Sequence, residues 1–161
     1  MKHWPSLLLA FVLSFGTAAL GGAVTELGPW YQALQQPAWK PPDWAFGPIW
    51  TTLFSLMAIS AWRAWHVTTD GTRRRQVLAL WLLNALLNVG WSFLFFKLQR
   101  PDWALMEWAL LWASIALLMM ALRRDSNAAA WLLLPYLLWV TLAGWLNQAV
   151  VVLNGPFPMT G

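Results

Sequence analysis

Residues 103–122 read WALMEWALLWASIALLMMAL, a run of twenty residues in which Glu107 is the only charged side chain. About 20 residues of α-helix are needed to cross a hydrocarbon core about 30 Å thick. This run is too long for a strand of a β-barrel and lacks the alternating polarity of such a strand. Four more stretches have this character, at about residues 5–24, 45–65, 76–97 and 128–153. The sequence therefore predicts an all-α polytopic membrane protein, one domain over residues 1–161 with five transmembrane helices.

The composition points the same way. The 161 residues are 60% hydrophobic and 10% charged and include 15 tryptophans, whereas an average soluble domain is roughly 45–50% apolar and 25% charged. There is no cysteine, which excludes disulfides, thiolate metal sites and cysteine nucleophiles. The cations lie in short clusters between apolar runs instead of along one face, so no nucleic-acid partner is predicted.

The distribution of Lys and Arg predicts the topology. The connections after the second, third and fourth helices are short, at residues 70–75, 97–102 and 123–127, and Pro101 is expected to open the fourth helix. One side holds Lys2, Arg63, Arg73, Arg74, Arg75, Arg123 and Arg124, whereas the other holds Lys40, Lys97 and Arg100. The positive-inside rule then places the N-terminus in the cytoplasm if the protein lies in a bacterial inner membrane. The positive-inside rule does not transfer directly to an outer membrane, so the sequence leaves that location open.

The first helix has an alternative interpretation as a cleaved signal peptide, because a basic residue, an apolar stretch and small residues follow one another. The apolar run nevertheless continues to Val24. Small residues four apart, Ala18 with Gly22 and Ala19 with Ala23, are typical of a packed transmembrane helix.

The first connection, about residues 25–44, is long and rich in Pro, Trp and Gln. Its prolines fix φ and pre-order the chain, and Asp43 is expected to cap the second helix. Trp39 and Trp44 are typical of an aromatic belt at the membrane interface. We expect this loop to fold over the outer mouth of a pocket as a lid, with Pro41 and Pro42 limiting the entropy lost on closing.

Three helices each present an aromatic and polar or small-residue face at helical spacing. An unpaired amide in hydrocarbon costs several kcal/mol, so the membrane asparagines should point inward. The converging faces predict a mostly apolar pocket for a large, flat ligand with polar edges. The alternative is that these residues only hold the helices together. The residues are Trp50, Phe54, Met57 and Ala61, then Trp81, Asn84, Asn88, Trp91 and Phe95, then Tyr136, Trp139, Ala143, Leu146 and Asn147.

Other candidates for chemistry are few. Glu107, inside a span, is a functional-site hypothesis; alternatively its carboxylate reaches the interface or accepts a hydrogen bond from a tryptophan. His3 and His66 lie at membrane edges, and neither a carboxylate pair nor metal-ligand spacing is present. A hydrolase or metalloenzyme is therefore not predicted.

Several motifs resemble the tryptophan-rich sensory protein/translocator protein family (TspO/MBR), also called peripheral-type benzodiazepine receptors. The resemblance covers nearly the whole chain, and the first motif is highly specific. The motifs are Pro37-x-Trp39-x-Pro41-Pro42-x-Trp44-x-Phe46-x-Pro48-Ile49-Trp50-Thr51, Asn88-x-x-Trp91-Ser92 with Phe95-Phe96, Trp103-Ala104-Leu105, and Pro135-Tyr136-Leu137-x-Trp139 with Ala143 and Leu146-Asn147.

The resemblance implies five transmembrane helices, frequent homodimers and a pocket under the first loop that binds porphyrins such as protoporphyrin IX and synthetic isoquinoline carboxamides. It implies no cofactor and no metal site. Trp50 and Trp139 match tryptophans linked in some bacterial members to light-dependent porphyrin breakdown. By motif position the pocket would be lined by Tyr31, Pro41, Phe46, Trp50, Phe54, Asn88, Trp91, Trp139, Ala143 and Leu146.

Animal members carry a sterol-recognition motif that needs Tyr and then a basic residue after the Leu-Asn pair. Here Leu146-Asn147 is followed by Gln148-Ala149-Val150-Val151-Val152, which favours a bacterial, tetrapyrrole-related role. The expected function is a porphyrin-binding receptor or carrier in tetrapyrrole homeostasis or stress signalling. Light-dependent porphyrin degradation is one alternative, and a lipid- or sterol-binding or purely structural bundle is another.

Overall fold

The five apolar runs form long helices in the computed structural model of the protein, which describes residues 3–157. All five are long and apolar enough to cross a membrane. No strand occurs in that range, so the predicted all-α fold class is confirmed. The helices are α1 (Trp4–Ala23), α2 (Pro29–Ala33), α3 (Asp43–Val67), α4 (Gly71–Ser92), α5 (Pro101–Arg123), α6 (Asn127–Trp131) and α7 (Leu134–Asn154). The fifth span combines α6 and α7, and α2 lies in the first connection.

Two helix starts differ from the sequence-based expectation. Helix α4 begins at Gly71 instead of about residue 76, because the Asp70 carboxylate accepts a hydrogen bond of 2.6 Å from the Arg73 N–H and caps the helix. The arginine run therefore lies in the first turns of α4. The expectation that Asp43 caps the second helix was wrong: Pro42 occupies the cap position, and Asp43 is the first residue of α3, where it pairs with Lys40.

Helix α4 ends in a π-helical turn over Phe93–Lys97. The Leu98 N–H donates to the Phe93 carbonyl at 2.9 Å, and Gln99 takes a left-handed backbone conformation with φ of 54°. Pro101 then occupies the first turn of α5, as predicted. This tight reversal makes α4 and α5 antiparallel neighbours.

Helix α5 packs between α4 and α7, and α1 packs against α3 and α4. The residues Leu111, Ile115, Leu118 and Leu122 recur at helical spacing on α5, and each is at most 4% exposed. In α1 only Gly21 is buried. Ala18 packs against the core, whereas Ala19 and Ala23 are exposed and do not pack against another span of the same chain.

Contacts between helix ends show which loops lie together at each end of the bundle. At one end the His3 and His66 rings lie 4.2 Å apart, and Arg73 pairs with Asp125 at 3.2 Å. At the other end Lys97 pairs with Glu26 at 2.5 Å. The loops that the sequence assigned to one side therefore share one end; Lys2, which belongs to the same count, lies outside the described residues.

Gly144 lets α5 and α7 approach closely. The Trp108 indole lies across Gly144, where a Cβ would overlap its ring atoms, and its N–H donates to the Val140 carbonyl at 2.7 Å. Small residues commonly allow such approach between membrane helices.

Replacing Gly144 with Ala should lower the free energy of unfolding by about 1–3 kcal/mol, because the methyl group displaces the indole from a packed position. Reversible unfolding in mixed micelles measures the change. Gly90→Ala is the matched control, since a Cβ there meets no atom within 4 Å. Equal stabilities for the two variants would contradict the packing role of Gly144.

Candidate functional site

A cavity of about 410 Å³ lies between the five spans, under the first connection. Every span contributes to its wall: Gly21 from α1, Trp50 from α3, Asn88 from α4, Trp108 from α5 and Trp139 from α7. The cavity is at the end of the bundle that carries few cations. Its volume falls within the range of about 300–1,000 Å³ that is usual for ligand pockets.

Nine of the ten residues that the resemblance assigned to the pocket line this cavity: Tyr31, Phe46, Trp50, Phe54, Asn88, Trp91, Trp139, Ala143 and Leu146. Pro41 is not part of the lining. It lies just before α3, and the wall there is formed by Asp43 and Phe46, which follow in the first turn of the helix.

The site-residue prediction did not include Trp108 and Gln36, which also line the cavity. Trp108 lies on the side of α5 that also carries Ala104, Leu111 and Ile115, so helical spacing alone could have indicated it. Gln36 lies in an irregular segment, where periodicity gives no information on which way a side chain points.

Aromatic rings form one wall of the cavity. The Trp50 ring is 5.4 Å from Phe54 and 6.4 Å from Trp139, and Phe46 is 5.5 Å from Trp139. Most of these pairs are edge-to-face, the arrangement favoured by the charge distribution of aromatic rings. The planes of the rings that surround the cavity therefore lie at different angles to one another.

Asn88 joins the cavity wall to a buried polar cluster behind it. The Asn88 amide donates to the Tyr136 hydroxyl at 3.0 Å, and that hydroxyl donates to the Asn84 carbonyl oxygen at 3.4 Å. Asn84 also donates to Ser114 at 2.8 Å. Asn84 and Asn88 are 0% and 7% exposed, so the prediction that these amides point inward is confirmed.

A second set of polar contacts lies where α4, α7 and the start of α5 meet. The Trp91 indole N–H donates to the Asn147 side-chain oxygen at 3.1 Å, and the Asn147 amide donates to the Pro101 carbonyl at 2.8 Å. Asn147 thereby holds α7 against both α4 and the start of α5.

Two fully buried hydrogen-bond donors in the lining have no partner among residues 3–157. They are the Gln36 side-chain nitrogen and the Trp139 indole nitrogen, and both atoms are buried. A buried donor without an acceptor costs about 1–3 kcal/mol. A ligand that carries acceptor atoms would recover part of that free energy.

Glu107 does not line the cavity. Both of its carboxylate oxygens are buried and have no hydrogen-bond partner in the described part of the chain. The alternative to a functional role, in which this carboxylate reaches the interface or accepts a hydrogen bond from a tryptophan, is therefore not observed among the described residues. The reason is its position on the inward side of α5, one turn before Leu111.

The first connection is tied to the end of α7 and contributes Leu27, Tyr31 and Gln36 to the cavity lining. Gln35 and Asn154 exchange two hydrogen bonds of 2.7 and 2.9 Å, which tie the segment to the end of α7. The Lys40 ammonium lies 5.7 Å from the Tyr31 ring centre and pairs with Asp43. Burial alone would lower the pKa of Lys40, but the hydrogen bond to Asp43 and the neighbouring Tyr31 outweigh it and raise that pKa.

Comparison with known proteins decides the family. The sequence profile of the TspO/MBR family matches residues 8–153. The chain belongs to the TspO/MBR family. It is 37% identical over 156 residues to the tryptophan-rich protein TspO of Chlorobaculum tepidum, which covers 91% of this chain and 97% of the relative. The resemblance seen in the sequence motifs is confirmed.

Other relatives of this TspO/MBR protein come from both bacteria and animals. The tryptophan-rich sensory protein of Cereibacter sphaeroides is 34% identical over 92% of both chains. The human translocator protein is 36% identical over 122 residues, 75% of this chain and 72% of its own length. Family membership and the five spans make the protein an integral, multi-pass membrane protein.

Proposed function

We propose that this protein is a membrane receptor or carrier that binds porphyrin-like tetrapyrroles in the cavity and thereby affects tetrapyrrole homeostasis or stress signalling. The observation that carries the proposal is an aromatic-walled cavity of about 410 Å³ with two buried donors that lack partners. A porphyrin is flat and apolar at its centre and carries acceptor carboxylates at its edge. The relatives' names, sensory protein and translocator protein, support the choice of receptor or carrier.

The wall chemistry favours a flat aromatic ligand over a flexible chain. Indole and phenyl rings contribute large apolar area, and offset or edge-to-face contacts add about 0.5–1.5 kcal/mol per pair beyond burial. The proposal also includes a homodimer surrounded by membrane lipids, with the N-terminus in the cytoplasm of a bacterial inner membrane.

Titration of purified protein with protoporphyrin IX, followed by porphyrin absorbance, tests the binding. Saturable binding is expected, and Trp50→Ala should weaken it by about tenfold, or 1.4 kcal/mol. Trp145→Ala is the matched control, because Trp145 lies on α7 but is 60% exposed on the outer surface. Absence of saturation, or equal affinities for the two variants, would refute the proposed site.

A second candidate function is light-dependent porphyrin degradation, which the 6.4 Å separation of the Trp50 and Trp139 rings favours. An indole would donate one electron to the excited porphyrin, and the porphyrin radical anion would pass that electron to dioxygen, giving superoxide. The indole radical cation would then take an electron from a ground-state macrocycle. The tryptophan is thereby regenerated, the macrocycle is the net electron donor and dioxygen is the net acceptor.

Illuminated protein should then bleach protoporphyrin IX several-fold faster than free tryptophan at an equal indole concentration, and only with dioxygen present. Trp139→Phe should slow the reaction, whereas Trp145→Phe should not. Equal bleaching rates for the protein and for free tryptophan would contradict an enzymatic role.

We also propose that the first connection acts as a lid. Replacing Pro41 and Pro42 with Gly should raise the porphyrin off-rate about tenfold, because the closed segment then loses more entropy on ordering. Asn154→Ala, which unties the lid from α7, should have a similar effect. Circular dichroism should show unchanged helical content. Unchanged off-rates in both variants would mean that the ligand enters laterally between helices.

A further inference from the structure

A second cavity, of about 330 Å³, lies at the opposite, cation-rich end of the bundle between α1, α3 and α4. Most of its lining is apolar and includes Leu13, Met57, Ala61, Val77 and Leu78. Its lining shares no residue with that of the first cavity, so the proposed tetrapyrrole site does not account for it. Four residues that the sequence assigned to the same pocket faces as Trp50 and Asn88 line this second cavity instead: Met57, Ala61, Trp81 and Asn84.

The cavity is reachable from the lipid-facing surface. Leu13 on α1 and Leu78 and Leu82 on α4 all line it, and they keep 63%, 49% and 61% of their surface exposed. These side chains form a rim that faces the hydrocarbon of the bilayer. An apolar chain from a neighbouring lipid could enter here without crossing water.

An arginine side chain is held at the polar end of this cavity. The Arg74 Nε–H donates to the Thr68 carbonyl at 2.7 Å, one Nη donates to the Trp65 carbonyl at 3.2 Å, and the guanidinium lies 4.7 Å from the Trp65 ring centre. A guanidinium has five N–H donors, so these contacts fix its position and leave donors for another acceptor.

The acidic side chains at this end are engaged elsewhere. Asp70 accepts from the Arg73 backbone N–H, and Asp125 pairs with the Arg73 side chain. Within residues 3–157 Arg74 forms no ion pair with a carboxylate. It also lies in the first turns of α4, where the helix dipole disfavours a cation and favours an anion.

A buried hydroxyl beside Arg74 also lacks a partner. Thr68 is 3% exposed and lines the cavity, and its side-chain oxygen has no hydrogen-bond partner in the described range. The Trp81 indole nitrogen, also in the lining, has none either. Unpaired polar groups in an apolar cavity next to a cation indicate an occupant that brings oxygen acceptors.

We propose that this cavity binds one anionic phospholipid from the membrane leaflet at this end. The phosphate oxygens accept hydrogen bonds from Arg74 and Thr68, and one acyl chain occupies the apolar part beside Ala61 and Met57. Anionic headgroups are attracted to arginines near the membrane surface, and the arginine run at the start of α4 supplies that attraction.

Lipid titrations of detergent-purified protein, read by native mass spectrometry, test the site. Dioleoyl phosphatidylglycerol and dioleoyl phosphatidylcholine are the probes, since they share acyl chains and differ in headgroup charge. The wild-type protein should bind the anionic lipid about tenfold more tightly. Arg74→Gln should remove this preference, whereas Arg75→Gln, which removes an equal charge from an exposed neighbour, should keep it.

Two further variants separate binding from folding. Thr68→Val removes a hydroxyl that has no internal partner, so it should weaken phosphatidylglycerol binding severalfold without lowering the unfolding temperature in phosphatidylcholine. Ala61→Leu fills the cavity and should weaken both lipids. Circular dichroism checks that each variant folds.

Four results would overturn the proposal. One is equal affinity of the wild-type protein for both lipids. Another is an equal loss of preference in Arg74→Gln and Arg75→Gln. The third is that sodium oleate alone competes as well as phosphatidylglycerol, which would make the occupant a free fatty acid. Dissociation of a dimer by Ala61→Leu, with lipid binding unchanged, would also contradict it by showing that a second copy covers this face.

Discussion

The hydroxyl of Tyr136 joins Asn84 and Asn88 in the middle of a bundle that is otherwise apolar. In hydrocarbon each of these groups would cost several kcal/mol if it were left without a partner. The contacts bring α7 against two turns of α4, and the bond from Asn84 to Ser114 adds α5. Three helices are thereby fixed in register by groups that can be satisfied in few other arrangements.

Both cavities depend on this cluster for a wall. Asn88 lines the cavity under the first connection, whereas Asn84 lines the cavity at the cation-rich end. Helix packing between membrane spans otherwise rests on close van der Waals contact, as at Gly144 and Trp108. The polar centre and the close contact together hold α4, α5 and α7 while leaving space on either side for ligands.

The sequence predicted much of this structure, because a bilayer imposes a span length and forces amides inward. The five spans, the inward asparagines and the shared end of the basic loops follow from those two constraints. Periodicity also identified the helix faces that line the cavities, but it did not show that Met57, Ala61, Trp81 and Asn84 belong to the second cavity and not to the first. Family resemblance then supplied Tyr31, which lies in a non-spanning segment where periodicity says nothing.

What the sequence did not predict depends on geometry between distant residues. The start of α4 depends on whether the Asp70 side chain folds back to the Arg73 N–H. Pro41 is not in the lining because the wall there is formed by Asp43 and Phe46 in the first turn of α3. The second cavity arises from the gap between α1 and its two neighbours. No single helix carries a signal for such a gap, and Thr68 lies between the predicted second helix and the predicted loop at residues 70–75, where no pattern indicated it.

Replacing Tyr136 with Phe tests most directly whether the buried polar cluster holds the bundle and its ligand cavity, since the change removes one oxygen atom and keeps the ring. The free energy of unfolding in mixed micelles should fall by about 1–2 kcal/mol. The affinity for protoporphyrin IX should fall with it, because Asn88 is then released from its position in the cavity wall. Unchanged stability and unchanged affinity would contradict the central role of this cluster.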